Sequence, residues 1–345
     1  MAQMTLGGAE YAGRGKTTRK ERFLAEMEQV VPWAGLQRLI APSYPEAGNG
    51  RHPYPLATML RVYLMQNRFS LSHPAMEGAL YDMPALRQFA RLSSLDAIPD
   101  ETTIPNFRHP IEEYDLAQEI FGSVVGLLQR RGLMLKECRM VDATIIDAPS
   151  STKNDEGQRN PEMRQTKKGD NYYLGMKAHI GVDVDSGLTH TAVTTPASES
   201  DVAQVAELLH GKEKTAHGDS GHTGAHAYVE NPKLTWGVGK RRSQVEKIAH
   251  AREQVRALRR EKRKVQVRAF VEHPVRIVKC VFGYRKLRYK GLLKNTAQVL
   301  TLFALANLYM ARKLLMPGAG KLRPQFGKGG ENPLESKKNS QKPSK

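Results

Sequence analysis

An all-α domain followed by an α/β domain is the fold class the sequence predicts. Two patterns carry the prediction. Apolar residues recur at helical spacing from Arg19 to about Arg131, and after Gly132 they alternate at strand spacing. A return of long helical stretches from Gln244 makes the second half mixed rather than all-β.

In chain order, residues 1–18 are Gly-rich and expected to be a flexible N-terminus. "RKERFLAEMEQVV" places Phe23, Leu24, Met27, Val30 and Val31 on one helical stripe. The Pro/Gly-rich connector "APSYPEAGNGRHPYP" separates it from a helix at Leu56 to Arg68. "SHPAMEGALYDMPALRQFARL" reads as two short helices parted near Pro84. "SLDAIPDETTIPNFRHPIEE" gives a turn and a short helix with Asp100 or Thr102 as N-cap and Pro105 in its first turn. Two short helices around a tight turn fit either a helix-turn-helix DNA reader, with Asn106, Arg108 and His109 on the reading element, or an ordinary bundle corner.

Beyond Gly132, "ECRMVDATII" is a strand and "GMKAHIGVDV" a second, with Met176, Ala178, Ile180, Val182 and Val184 facing the core. "DSG" is a hairpin turn and "LTHTAVTT" returns as a third strand. "SDVAQVAELLHG" reads as a helix capped by Ser200 or Asp201, with a fourth strand near "KTAHGD". Basic helical stretches follow at Gln244–Lys264 and Val271–Phe282. Residues 149–173 form a long polar connection, functional or unstructured, and the Gly/Lys/Ser-rich tail from Pro317 is predicted to be disordered. The expected units are therefore 1–18, 19–131, 132–316 and 317–345.

The 345 residues carry a formal net charge of +18 spread along the chain, which favours a polyanionic partner. Two cysteines, Cys138 and Cys280, form no metal-like spacing and no disulfide framework, as suits a reducing cytosol. The N-terminal stretch lacks an apolar signal region. "VLTLFALANLYMA" (299–311) is too short to span a bilayer, so a core helix and a cytoplasmic protein with no membrane partner are expected.

Three carboxylates need explaining. Asp142 sits inside the strand "MVDATII", where an unpaired charge is costly. Asp219 lies in "HGDSGHTG", just past a short strand. Glu272 lies in "RAFVEHPVRIVK", on one helical stripe with Arg268, Arg276 and Lys279; a surface salt-bridge lattice explains that stripe equally well. Together the three suit a hard divalent ion, and in a basic protein they suit two-metal phosphoryl transfer on nucleic acid. Asp147 is expected on the opposite face of the strand, and Asp183 is expected to be solvated beside its turn. Lys177 and His179 share a polar strand face open to phosphate or merely to solvent, and His217 and His222 bracket Asp219 without making a metal-like cluster.

The blocks "LAEMEQVVPW", "GNGRHPYPLATMLRVYLMQ", "VDATIIDAPSSTKN", "QTKKGDNYYLGMKAHIGVD" and "VEHPVRIVK…RYKGLLKN", in this order, resemble bacterial insertion-sequence transposases of the DDE class. The resemblance runs from about Arg19 to Lys313 and is to the single-protein kind, with a helical N-terminal domain and a ribonuclease-H-like mixed-sheet catalytic core. It implies that Asp142, Asp219 and Glu272 are catalytic and hold Mg²⁺, two ions being expected and Mn²⁺ able to replace them. It also implies a DNA partner, as element-end inverted repeats and target duplex, and a homo-oligomer that brings two ends together. Expected DNA contacts are Arg268, Arg276, Lys279, Lys167, Lys168, Lys177 and Arg108. The chain departs from the family pattern at His222, where an aromatic residue is usual, and at Val265, in place of a tyrosine. The alternatives are a nuclease of the same fold without strand transfer and an inactive DNA-binding descendant.

Overall fold

The computed structural model describes residues 16–316 except 47, 49–51, 135–137, 153–156, 230, 232 and 240–249. The expected flexible N-terminus (save residues 16–18), the basic tail from Pro317 and the start of the Gln244 helix lie outside them.

Seven α-helices lead the described residues: α1 (Arg19–Val30), α2 (Trp33–Ile40), α3 (Leu56–Phe69), α4 (His73–Asp82), α5 (Pro84–Phe89), α6 (Thr103–Glu113) and α7 (Leu116–Arg130). Local chemistry sets their starts. Thr18 Oγ1 accepts from Glu21 N at 3.2 Å, and the Glu21 carboxylate accepts from Thr18 N, a reciprocal cap for α1. Ser72 Oγ accepts from Ala75 N ahead of α4. Before α6 the capping oxygen belongs to Asp100, which accepts from Thr102 N at 3.1 Å and Thr103 N at 2.6 Å; the Thr102 side chain makes no cap bond. The expected stripe of α1 is buried at Leu24, Met27 and Val30.

The second half is built on β1 (Cys138–Asp147), β2 (Arg164–Lys168), β3 (Asn171–Asp183), β4 (Thr189–Pro196), β5 (Thr215–Gly218) and β6 (Thr235–Val238). β1 runs antiparallel to β3 and parallel to β5, and β5 runs parallel to β6. The other edge of β3 is shared, with β2 paired to its first residues and β4 to the rest. This mixed sheet with helices packed on it, preceded by a helical region, is the expected helical domain plus ribonuclease-H-like core.

Three elements depart from expectation. The long polar connection contains β2, which reads as a loop because "RQTKK" offers no apolar face. Of the helix expected around 200–211 only α8 (Val205–Leu208) forms, because Asp201 is held by Lys177 on β3 instead of capping a helix. The two basic stretches are one helix, α9 (Ala251–Arg276), which runs on as a π-helical turn, Ile277–Val281.

The last described helix, α10 (Leu292–Leu315), joins both halves. It packs on α7, α1, α3 and β4, and one buried apolar cluster contains residues of α1–α3, α6, α7, β1, β3, α9 and α10. Tyr63 Oη lies 2.8 Å from Thr301 Oγ1, and the Arg312 Nε–Glu26 Oε2 ion pair spans 2.7 Å. Asn307 accepts from Thr189 N at 2.9 Å and donates to Thr189 O at 2.6 Å, clamping the start of β4. The expected core helix is therefore present, and no described helix is long and apolar enough to cross a membrane.

Candidate active site

Strand parity decides where Asp142 points. On β1, Met140 and Ile146 belong to the large buried cluster, and their partners Val182 and Met176 do too. Asp142 has the same parity and lies opposite the buried Ile180, so it faces the side covered by α9 and α10. It is half-buried, and its Oδ1 accepts from Ala143 N at 2.9 Å.

The parallel pairing of β1 and β5 brings up the second aspartate. The last paired residues are Met140 and His217. Asp142, midway along β1, and Asp219, just past the end of β5, each lie two residues further on, so they stand at one level on adjacent parallel strands. Asp219 opens a 3₁₀ turn, Ser220–His222, where its Oδ1 accepts from Gly221 N at 2.9 Å and lies 2.8 Å from His222 Nδ1. The His222 ring is buried against Gly218, where a Cβ would come within 2.8 Å of the His222 Cβ. His222, which in the sequence brackets Asp219 and departs from the family pattern, thus helps to fix the Asp219 carboxylate; its spacing of three from the aspartate is the available signal.

Glu272 comes from α9, which packs against both β1 and β5. Its neighbour Val271 is fully buried in the cluster that holds Met140 and Ile146, while Glu272 itself is exposed. The three elements carrying the acids are mutual neighbours. The side chains are not drawn together: among the described residues no three His, Cys, Asp or Glu groups are placed to hold a metal ion. In kind the donors fit a hard divalent cation, being carboxylate oxygens from two neighbouring strands and the helix packed on both.

The cations divide into three groups. Arg276 on α9 and Lys167 and Lys168 on β2 are exposed. Lys279 is half-buried and donates to Ile145 O; burial lowers its pKa, against the pull of Asp147. The side chain of Arg268, like that of Val265, lies outside the described residues. Two residues are turned inward. Lys177 is almost fully buried, with its Nζ 2.9 Å from Asp201 Oδ1 and donating to Glu199 O at 2.6 Å. Arg108 is buried too, its Nε 2.7 Å from Glu112 Oε1 and its guanidinium 4.0 Å above the Tyr289 ring. Asn106 and His109 remain exposed on α6, so α6 keeps its inner guanidinium for packing.

Two other expectations resolve on the opposite sheet face. Asp183 is not solvated; it is fully buried and paired with Arg139 at 3.0 Å. His179 is buried, its Nε2 2.8 Å from Thr195 Oγ1, and burial pulls its pKa down to about 4. Asp147 ends β1 in a bridge with Lys286.

Two known families match the chain. A family described as transposase domain (DUF772) matches residues 14–110, and one described as transposase DDE domain matches residues 134–308.

Proposed function

The chain belongs to the DDE transposases, and from that premise we propose that it binds the terminal inverted repeats of an insertion sequence, cuts at their ends and joins them to target DNA. The observation that carries this reading is the level placement of Asp142 and Asp219 on adjacent parallel strands, with the α9 that bears Glu272 packed across both. These three residues would hold Mg²⁺, with Mn²⁺ able to replace it. A bound divalent ion supplies charge neutralisation at phosphoryl oxygens and a lowered water pKa.

The chain's own residues do the rest. His222 and the Gly221 N–H fix one Asp219 oxygen, which presets the direction of the other. Arg276, exposed four residues beyond Glu272, is free to meet backbone phosphate. In the first reaction water displaces the 3′ oxygen of a phosphodiester at the element end. In the second, the freed 3′-hydroxyl displaces a 3′ oxygen in the target strand, so each bond formed matches one broken. No protein nucleophile takes part. Pairing two element ends calls for a homo-oligomer.

The test uses labelled duplex carrying the inverted repeats that flank the coding region, with Mg²⁺, against the parent and Asp142→Asn. Asparagine keeps the shape and removes the charge. The variant is expected to bind the duplex as well as the parent and to lose nicking by on the order of 10³-fold, several kcal/mol of transition-state stabilisation. Asp147→Asn should retain most of the nicking. Normal nicking by Asp142→Asn would make Asp142 a structural residue and end this reading of the site. Joining of a cut end to a second duplex separates a transposase from a plain nuclease.

A further inference from the structure

The β2–β3 hairpin carries Lys167 and Lys168, two of the expected DNA contacts, outside the three-acid site. It pairs Arg164 with Gly175 through Lys168 with Asn171, and turns at Gly169, whose φ of 62° suits glycine. Arg164, Lys167 and Lys168 are exposed on it against one carboxylate, Asp170. Tyr172 is 69% exposed, an unusual place for so large a ring, and the Lys167 ammonium, its cross-strand partner, lies 5.6 Å from the ring centre. Cations interleaved with an exposed aromatic ring are the chemistry that meets nucleic acid: ammonium on phosphate, ring on sugar or base.

Position strengthens the case. β3 is antiparallel to β1, so its first residues project past Asp147, the carboxyl end of β1, five residues beyond the level of Asp142 and Asp219. Tyr172 has the parity of Ile180, the partner of Asp142, so Tyr172 and Lys167 present the same sheet face as Asp142. Eight residues of β3 separate Tyr172 from that level. At about 3.3 Å per residue the ring lies roughly 26 Å beyond it. That span covers seven to eight base pairs, at roughly 3.4 Å each.

We propose that Arg164–Tyr173 is an arm of the DNA-binding surface that grips duplex seven to eight base pairs from the cleaved phosphodiester, with Lys167 and Lys168 on phosphates and Tyr172 on the sugar–base edge. This rests on the transposase reading for the location of the cut, but the grip itself is measurable without catalysis. The probe is a 30-base-pair random-sequence duplex in a gel-shift titration across salt concentrations. The double variant Lys167→Ala/Lys168→Ala should flatten the log K against log salt slope by about 2, one for each phosphate that is no longer neutralised. Tyr172→Ala should weaken binding about tenfold with the slope unchanged, and Tyr172→Phe should restore it. All these side chains are exposed, so melting temperatures should match the parent. On the end DNA that the parent nicks, trimming the flank to five base pairs from the cut should erase every difference between the variants and the parent. Unchanged slopes and affinities on the long duplex would overturn the arm, and so would differences that survive trimming. If the parent nicks no DNA while the slope still falls, the grip stands and the transposition reading fails.

Discussion

Asp183 shows how one carboxylate can be read wrongly from the chain alone. It is the cross-strand partner of Arg139, and both are fully buried. Its Oδ2 accepts from Arg139 Nη1 at 3.0 Å, and its Oδ1 accepts from Asp185 N and Ser186 N at 2.9 Å each, closing the β3–β4 turn. The guanidinium also reaches His210 Nε2 at 3.2 Å. Removing one partner of such a pair strands a buried charge. Asp183→Ala should therefore lose about 3–5 kcal/mol of stability, read as a lower urea midpoint. A loss under about 1 kcal/mol would mean that water reaches Arg139 and the pair is not what holds the turn. Period-2 alternation put Asp183 correctly on the face opposite the Met176–Val182 row, but alternation assigns a face without saying what covers it. Here Val205 and Leu208 of α8 lie in a cluster with Val141 on that face, a packing with no local signature. Asp142 was legible for the opposite reason: a charge amid "MVDATII" is out of place wherever the strand lies.

Element identity was read more reliably than element partners. The strand carrying Asp142, the hairpin at 185–187 and the helix at 56–68 follow from periodicity and turn residues and recur in β1, β3–β4 and α3. The mates of α10 do not follow, since a helix apolar on nearly all sides says only that it is buried. Its contacts join residues hundreds of positions apart, such as Tyr63 with Thr301, and the π-helical turn before it is tied back to α3 by Arg68 on the carbonyl of Val281. The N-terminal helices share their largest cluster with α10 and keep only a smaller one of their own, around Val62, Met76 and Leu80. A fragment ending at Arg131 leaves Ile120, Val124 and Leu128 of α7 without the helix they pack on. It should show helical circular dichroism yet bind an apolar dye and melt without a cooperative transition, as a loosely packed state does. A sharp, dye-free melt would instead show that the seven helices close a core alone.

At the scale of the whole molecule the histidines tie stability to pH. The ring of His190 is buried on the same face as Arg139, and burial, then Arg139 and His210, hold its pKa down at about 2. His179 is held at about 4 by burial, with Lys177 and His222 pushing the same way and Asp201 opposing. In an unfolded chain both titrate near 6.5. The folded state therefore binds fewer protons than the unfolded state below that pH. The sign follows: the stability these rings allow is fully present above about pH 6.5 and is lost as the pH falls below it. Each histidine contributes a slope approaching about 1.4 kcal/mol per pH unit, less for His179 as its own pKa is neared, so the pair should remove about 2.5 kcal/mol between about pH 5.5 and 4.5. The chain's formal charge of +18 adds self-repulsion in the same direction as carboxylates protonate. Urea midpoints at constant ionic strength should stay level from pH 8 to 7 and drop steeply towards pH 5. Calorimetric unfolding near pH 5 in two buffers of different ionisation enthalpy should register an uptake of about two protons from these rings alone. Flat midpoints from pH 7.5 to 5, or no proton uptake, would mean that both rings reach water and carry their protons in the folded protein.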